Sequence, residues 1–235
     1  MSEKEKILLP ADIERASMEI ITKELAARGI CPAEENAAVV RRVIHTTADF
    51  DYAENLRFTP GAVAAGTAAL SSGCVIVTDT NMAKAGISKP SLEKLSSEAF
   101  CYMADPDVAA MAKVDGTTRA VAAQKKAAAE HPGAVLAVGN APTALLEICE
   151  LMAAGLRPAL VIAAPVGFVN VVESKERLMA ACEKYNVPAI AAMGRKGGSG
   201  VAAAICNALL YTATDMLDPA RRGWAGSKRK ESEKT

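Results

Sequence analysis

The sequence predicts an α/β fold with three layers, helices on both sides of a mostly parallel sheet of about five strands. Two observations support this prediction. Four short runs consist almost wholly of apolar residues without alternation, which is typical of strands buried on both faces. Helical segments separate these runs, and regular alternation of strand and helix produces a parallel sheet with helices on either side.

The predicted strands lie in the middle and the last third of the chain. The four continuous runs are residues 74–78, 134–138, 159–163 and 188–192, and residues 99–103 form a weaker fifth candidate. The predicted helices of this region are residues 61–71, 117–130, 142–153, 174–184 and 201–211. Together these elements indicate a single α/β domain over residues 1–220, followed by a polar tail, 221–235, that we expect to be disordered.

An N-terminal helical arm, residues 10–58, precedes the first continuous strand. Its first helix begins at Pro10 and ends near Arg28, because Gly29 is a common helix terminator. Its expected apolar face consists of Ile13, Ala16, Ile20 and Ile21. Ser17 lies within that face, where a hydroxyl either bonds back to a carbonyl one turn earlier or faces a pocket.

Composition excludes several classes of function. With 51% hydrophobic and 23% charged residues, the chain is expected to be a soluble globular protein. Zero net charge and 4% aromatic residues argue against a nucleic-acid partner. The longest apolar run, residues 159–172, is too short for a membrane span and contains polar positions. We therefore expect neither a nucleic-acid nor a membrane partner.

The six cysteines are dispersed along the chain, without a Cys-x-x-Cys pair or a histidine-rich metal motif. This distribution predicts reduced, structural thiols and a cytoplasmic location. It also predicts that the protein holds no metal of its own.

His45 is one of only two histidines, and it lies among charged residues. In a helix, Arg41 and Arg42 lie one turn before it and Asp49 one turn after it. The cations disfavour protonation of the imidazole and the carboxylate favours it. A histidine in this setting can exchange a proton near neutral pH. The alternative is a partly exposed histidine that merely pairs with Asp49.

Each predicted strand ends in glycine or small polar residues, at residues 79–82, 139–143, 165–170 and 194–200. Ligands of α/β sheets bind beyond the carboxyl ends of the strands, so these segments predict a pocket. The last segment contains Gly197, Gly198, Ser199 and Gly200 after two cations. Its spacing matches no P-loop, and we interpret it as an anion site without a nucleotide, the alternative being a flexible turn.

Arg119 lies in the first turn of the helix predicted at residues 117–130, with Thr117 as the expected cap. The helix dipole disfavours a cation at that end. Arg119 is therefore expected to have a ligand or an acidic partner, although an ordinary surface arginine is an equal alternative.

Taken together, these segments resemble the precorrin-8X methylmutase family, the precorrin isomerases of cobalamin (vitamin B12) biosynthesis. The resemblance spans residues 10–217, in family order, through residues 13–17, 42–52, 77–82, 139–145, 165–170 and 196–200. It implies transfer of a methyl group from carbon 11 to carbon 12 of precorrin-8X or cobalt-precorrin-8, giving hydrogenobyrinic or cobyrinic acid.

The resemblance also implies roles for individual residues. A histidine at the position of His45 would be the proton donor and acceptor. Substrate binding would fall to Ser17, Arg42, Thr80, Arg119, Asn140, Gly197, Gly198, Ser199 and Gly200. No cofactor is implied, because any cobalt is part of the substrate, and family members resemble homodimers. Two alternatives stay open: a non-catalytic tetrapyrrole carrier, and an α/β enzyme acting on a phosphorylated small molecule.

Overall fold

The computed structural model describes residues 9–223 and contains a six-stranded sheet. Its strands are β1 (Leu56–Phe58), β2 (Ile76–Thr78), β3 (Ala99–Phe100), β4 (Val135–Val138), β5 (Leu160–Ala163) and β6 (Ala189–Ala192). The strand order is β1-β6-β5-β4-β2-β3, and every neighbouring pair is parallel except β1 with β6. The prediction of a mostly parallel sheet is confirmed.

The helices flank this sheet. They are α1 (Pro10–Ala27), α2 (Ala37–Thr47), α3 (Tyr52–Asn55), α4 (Ala62–Ser71), α5 (Asn81–Gly86), α6 (Lys89–Lys94), α7 (Pro106–Val114), α8 (Arg119–Glu130), α9 (Pro142–Ala153), α10 (Val171–Tyr185) and α11 (Ser199–Ala213). Short 3-10 turns occur at Glu34–Asn36 and Pro219–Arg222. None of the helices in the described part of the chain has the length and hydropathy of a membrane span.

The sheet has a hydrophobic core on each face. Side chains alternate along a strand, so Ile162 and Ile190 face the layer of α1, α2, α4 and α11. Val161 and Ala191 face the layer of α7, α8, α9 and α10. All four residues are fully buried. The expected three-layer arrangement follows from strands that are apolar on both faces.

The sixth strand, β1, was not predicted and lies inside the expected helical arm. It pairs antiparallel with β6, with Leu56 opposite Ala192 and Phe58 opposite Ile190. The strand is only three residues long, and Arg57 at its centre is exposed. An edge strand of this length needs no continuous apolar run, and so the sequence pattern contains little sign of it.

The expected apolar face of α1 is wrong in part. Ile13 and Ile20 are 47% and 56% exposed, whereas Ile21 and Leu25 are buried together with the charged Glu14. Hydrophobic spacing predicts which residues share a face, but it does not identify which face meets the core.

The end of the chain is only partly described. Arg221 and Arg222, which we expected to begin a disordered tail, lie in the 3-10 turn Pro219–Arg222. The rest of the predicted tail, residues 224–235, lies outside the described residues.

Candidate active site

The segments that follow β2 and β4 meet at the carboxyl edge of the sheet. The carboxylate of Asp79 accepts the backbone N–H groups of Gly139, Asn140 and Ala141 at 2.7, 2.8 and 2.8 Å. Asp79 is 1% exposed. Burial raises the pKa of its carboxyl above the ordinary value, and the three backbone hydrogen bonds oppose this shift. Asp79 therefore fixes the position of the Asn140 segment.

The segments that follow β5 and β6 join the same edge. The Thr80 and Ser199 hydroxyls form a hydrogen bond of 2.7 Å. The N–H of Gly198 donates to the carbonyl of Ala164 at 2.7 Å. Thr80 also caps α5 by accepting the N–H of Ala83 at 3.0 Å. The predicted convergence of the strand ends thus brings Thr80 to the start of α11.

The segment that follows β6, residues 194–200, is called the glycine loop, and close packing requires glycine at some of its positions. A Cβ on Gly197 would lie 2.3 Å from the carbonyl oxygen of Ala164 and 2.6 Å from that of Pro165. Gly198 has φ of 122°, which disfavours residues with a side chain. A Cβ on Gly139 would lie 2.8 Å from Cα of Ser199. The loop can therefore pass directly over the ends of β4 and β5.

His45 lies on α2 and is half-buried. Burial lowers the pKa of its imidazole, and the charges of Arg42 and Arg222 lower it further, while Glu14 raises it. The predicted effect of Arg42 is confirmed. The second cation is Arg222, near the end of the described chain, and not Arg41.

Arg42 belongs to a buried cluster that joins both ends of the described chain. Its Nη2 donates to Oε1 of Glu14 at 2.6 Å, and Arg222 donates to the same oxygen. Both guanidinium groups lie over the ring of Tyr211, at 5.1 and 4.4 Å from its centroid. Burial alone would raise the pKa of Glu14, but the hydrogen bonds from Arg222 and Arg42 hold it below its ordinary value.

The pairing of His45 with Asp49, the alternative to a proton-exchanging histidine, is not formed, because Asp49 makes another contact. Helix α2 ends at Thr47, and Ala48 has φ of 53°. Asp49 therefore lies beyond the helix, where its carboxylate accepts a hydrogen bond from Nζ of Lys196 at 2.7 Å. This contact joins the end of the His45 helix to the glycine loop.

Large apolar side chains are exposed at the same edge. Met82 follows β2, and Phe168 and Val169 follow β5, with exposures of 75%, 82% and 77%. The guanidinium of Arg195 lies 5.5 Å from the centroid of the Phe168 ring. These segments could be predicted from the sequence, but the exposure of these side chains could not, because it depends on how the strands end.

A protein-family model described as precorrin-8X methylmutase matches residues 12–212. The chain belongs to this family. It is therefore a methylmutase, an isomerase of cobalamin biosynthesis, as the resemblance of its motifs implied.

Individual relatives agree with this assignment. The chain is 44% identical over 201 residues to cobalt-precorrin-8 methylmutase of Priestia megaterium, covering 85% of this chain and 87% of the relative. It is 41% identical over 198 residues to precorrin-8X methylmutase of Pseudomonas aeruginosa, covering 84% and 93%. The crystal structure of precorrin-8X methylmutase from Thermus thermophilus superposes with a TM-score of 0.77 at 41% identity, covering 86% and 98%.

Two of the residues that the resemblance implied for substrate binding have side chains without a hydrogen-bond or ion-pair partner among residues 9–223. Arg119 is exposed at the first position of α8, where no carboxylate of the described chain pairs with it. The cap of α8 is Thr118, whose hydroxyl accepts the N–H of Val121 at 3.3 Å, and not Thr117 as expected. The side chain of Asn140 is likewise exposed. Both can contact a ligand.

Two other residues already have partners. The Ser17 hydroxyl donates to the carbonyl of Ile13 at 2.8 Å, the first of its two expected arrangements. Arg42 is tied to Glu14.

Within residues 9–223 no cluster of three or more histidine, cysteine or acidic side chains is arranged to hold a metal. The absence of a resident metal and of a cofactor stays a prediction.

Proposed function

We propose that the chain moves a methyl group from carbon 11 to carbon 12 of precorrin-8X or cobalt-precorrin-8, giving hydrogenobyrinic or cobyrinic acid. The relatives named for each substrate support both forms. The observation that carries the proposal is the contact of Lys196 with Asp49, which fastens the glycine loop to the end of the His45 helix. This contact supports a site in which His45, four residues before Asp49, would exchange the proton and the glycine loop would bind an anionic group of the substrate.

His45 is the proposed proton donor and acceptor. Its imidazolium protonates the conjugated macrocycle, which becomes electron-poor and so more reactive toward the methyl shift. After the shift the ring returns the proton to the imidazole, so that the product is an isomer of the substrate. Burial and Arg42 lower the pKa of His45, which makes the imidazolium a stronger acid. General acid catalysis of this kind contributes roughly 10²–10⁴-fold.

The proposed substrate is a flat ring with an apolar face and a fringe of carboxylates. Met82, Phe168 and Val169 would cover the apolar face. Arg119 and the exposed amide of Asn140 would bind carboxylates at the periphery. The further proposed contacts are Ser17, Arg42, Thr80, Gly197, Gly198, Ser199 and Gly200. Cobalt, where present, enters and leaves with the substrate.

We also propose that the chain acts as a homodimer. Leu9, Ile13 and Ile20 are 40%, 47% and 56% exposed and lie on one side of α1, with Ser17 between the two isoleucines. A second copy would remove this apolar surface from water. Light scattering should give the mass of two chains, and the paired substitution Ile13→Lys with Ile20→Lys should give that of one.

A cytoplasmic location is proposed from the thiols. All six cysteines, which lie at described positions, are free, and Cys149, Cys182 and Cys206 are buried. Free thiols of this number are typical of a reducing compartment. Cell fractionation of a tagged full-length chain tests the location.

A turnover assay tests the main proposal. The purified chain is incubated with metal-free precorrin-8X and, separately, with its cobalt form, and the product is followed by visible spectrum and by mass. Conversion of either form without a change in mass is the expected result. Binding without conversion would instead support a carrier. No binding of either form, with binding of inorganic phosphate that depends on Lys196, would support an enzyme for phosphorylated molecules.

A further inference from the structure

Lys175 is a buried cation that the proposed mechanism does not use. It lies on α10 and is fully buried. Its Nζ donates to the carbonyl oxygens of Gly194 and Lys196, each at 2.8 Å. No carboxylate of residues 9–223 forms an ion pair with it. A buried ammonium without an anionic partner is costly, so its retention needs an explanation.

The two hydrogen bonds fix the orientation of two peptide units. Every peptide bond of the described chain is trans, and in a planar trans peptide the N–H points opposite to the C=O. Since the carbonyls of Gly194 and Lys196 point toward Lys175, the N–H groups of Arg195 and Gly197 point away from it. Neither N–H has a hydrogen-bond acceptor among residues 9–223. These donors precede the start of α11, whose first N–H groups also lack helical partners.

We propose that Lys175 is a positioning residue: it turns the N–H groups of Arg195 and Gly197 toward the substrate, and its buried charge strengthens the binding of a substrate carboxylate by this loop. The inference rests on the proposed function, in which the glycine loop receives a polycarboxylate. A carboxylate of the bound substrate would then supply the negative charge near Lys175, because no carboxylate of residues 9–223 pairs with this lysine. Lys175 acts through the loop backbone and need not touch the substrate.

Lys175 is expected to titrate near the working pH. Burial lowers the pKa of its ammonium to about 8. Among the titratable side chains of α9, of α10 and of the loop around it, burial raises the pKa of Cys149 to about 11 and that of Cys182 to about 12. Glu150 pairs with Arg177, and Lys196 pairs with Asp49 and Asp51. The other charged or titratable side chains of these elements are Glu147, Glu173, Glu176, Glu183, Lys184, Tyr185 and Arg195. Strand β6 contributes only alanine and isoleucine.

Binding of hydrogenobyrinic acid between pH 7 and 9.5 tests the inference. In the wild-type chain the dissociation constant should rise above the pKa of Lys175 and level off at about tenfold its value at pH 7. Lys175→Met should bind about tenfold more weakly at pH 7 and show no further weakening up to pH 9.5. Lys175→Arg, whose charge persists at high pH, should restore part of the affinity at pH 9.5. Lys184→Met, an exposed lysine of the same helix, is the matched control.

A second measurement needs no variant and so does not depend on whether Lys175→Met folds. Calorimetry of the wild-type chain at pH 8.5 in buffers of different ionisation enthalpy should show net proton uptake on binding. Affinity that does not change with pH and the absence of proton uptake would overturn the inference, even if the chain converts precorrin-8X. Proton uptake by a chain that binds hydrogenobyrinic acid but converts neither form of the substrate would support the inference and reject the proposed function.

Discussion

Nζ of Lys196 lies 2.7 Å from the carboxylate of Asp49 and also donates to Asp51. The lysine follows β6 and the aspartates follow α2, so the contact joins two parts of the chain separated by almost 150 residues. It holds the pKa of the Asp49 carboxyl below its ordinary value through the hydrogen bond from Lys196. Because the groups are partly exposed, we interpret the contact as a means of positioning and not as a main source of stability.

Asp49→Asn should therefore separate activity from stability. Loss of a partly exposed ion pair should change the free energy of unfolding by less than about 1 kcal/mol. Lys196 would keep only its contact with the more exposed Asp51, so the glycine loop would be held less firmly against the end of α2, and kcat/KM should fall about tenfold or more. Urea unfolding and steady-state kinetics measure the two quantities. An unchanged kcat/KM would contradict the positioning role, and Asp115→Asn, which breaks an exposed pair with Lys125, is the control.

Substitution of Asp79 should mainly affect stability. Asp79→Asn replaces one acceptor oxygen by an N–H₂ group, which faces backbone donors and leaves at least one N–H at Gly139, Asn140 or Ala141 without an acceptor. The expected cost is about 2 kcal/mol of unfolding free energy. A melting temperature equal to that of the wild type would show that these hydrogen bonds can be replaced. Asp107→Asn, an exposed carboxylate, should leave stability nearly unchanged.

The glycines of the loop should differ sharply in their tolerance of alanine. Gly197→Ala would place a methyl group 2.3 Å from the carbonyl oxygen of Ala164. The backbone must move, at a cost of about 3 kcal/mol or more. Gly200→Ala meets no atom within 4 Å and lies in α11. That substitution should be neutral or stabilising by about 0.5 kcal/mol, with a higher KM if the loop binds substrate. Equal melting temperatures of the two variants would contradict the packing argument.

The pH dependence of turnover should reflect the lowered pKa of His45. If the imidazolium donates the proton, kcat/KM falls as pH rises through this pKa of the free enzyme, which lies below the ordinary 6.5. Glu14→Gln removes the carboxylate that favours the imidazolium, so the decline should begin at lower pH. The substitution also leaves Arg42 and Arg222 without their shared partner, and so the melting temperature should fall.

A matched control for this pH profile lies on the same helix. Glu24 is an exposed residue of α1 that pairs with Arg28. Glu24→Gln should leave both the pH profile and the melting temperature unchanged. A wild-type decline centred above pH 6.5, or a shift of equal size in both variants, would contradict the assigned cause.

Much of the fold could be predicted from the sequence, because buried parallel strands have a strong pattern. The apolar runs at residues 134–138 and 159–163 contain β4 and β5, and the helix predicted at residues 142–153 matches Pro142–Ala153. The meeting of the strand ends followed from the parallel arrangement alone. The short edge strand β1 and helices α5, α6 and α7 were missed, since they lack long periodic segments.

The partners of the site residues could not be predicted in the same way. Arg222 reaches Glu14 across most of the chain, and the end of α2 at Ala48 turns Asp49 toward Lys196. Local spacing describes neighbours within one helix, whereas these contacts depend on the packing of distant elements. The burial of Lys175 could not be predicted from the sequence, because the residue lies in a polar stretch of α10. It becomes enclosed only when the glycine loop after β6 covers it.

The central claim is that His45 transfers the proton, and His45→Ala tests it most directly. The variant and His131→Ala, which removes the other histidine where it stacks on Phe100 at 4.7 Å, are compared with the wild type for binding and turnover of both substrate forms. We predict that His45→Ala binds the substrate but loses about 10²-fold or more in kcat, while His131→Ala keeps its turnover. Turnover by His45→Ala within a few-fold of the wild type would contradict the account.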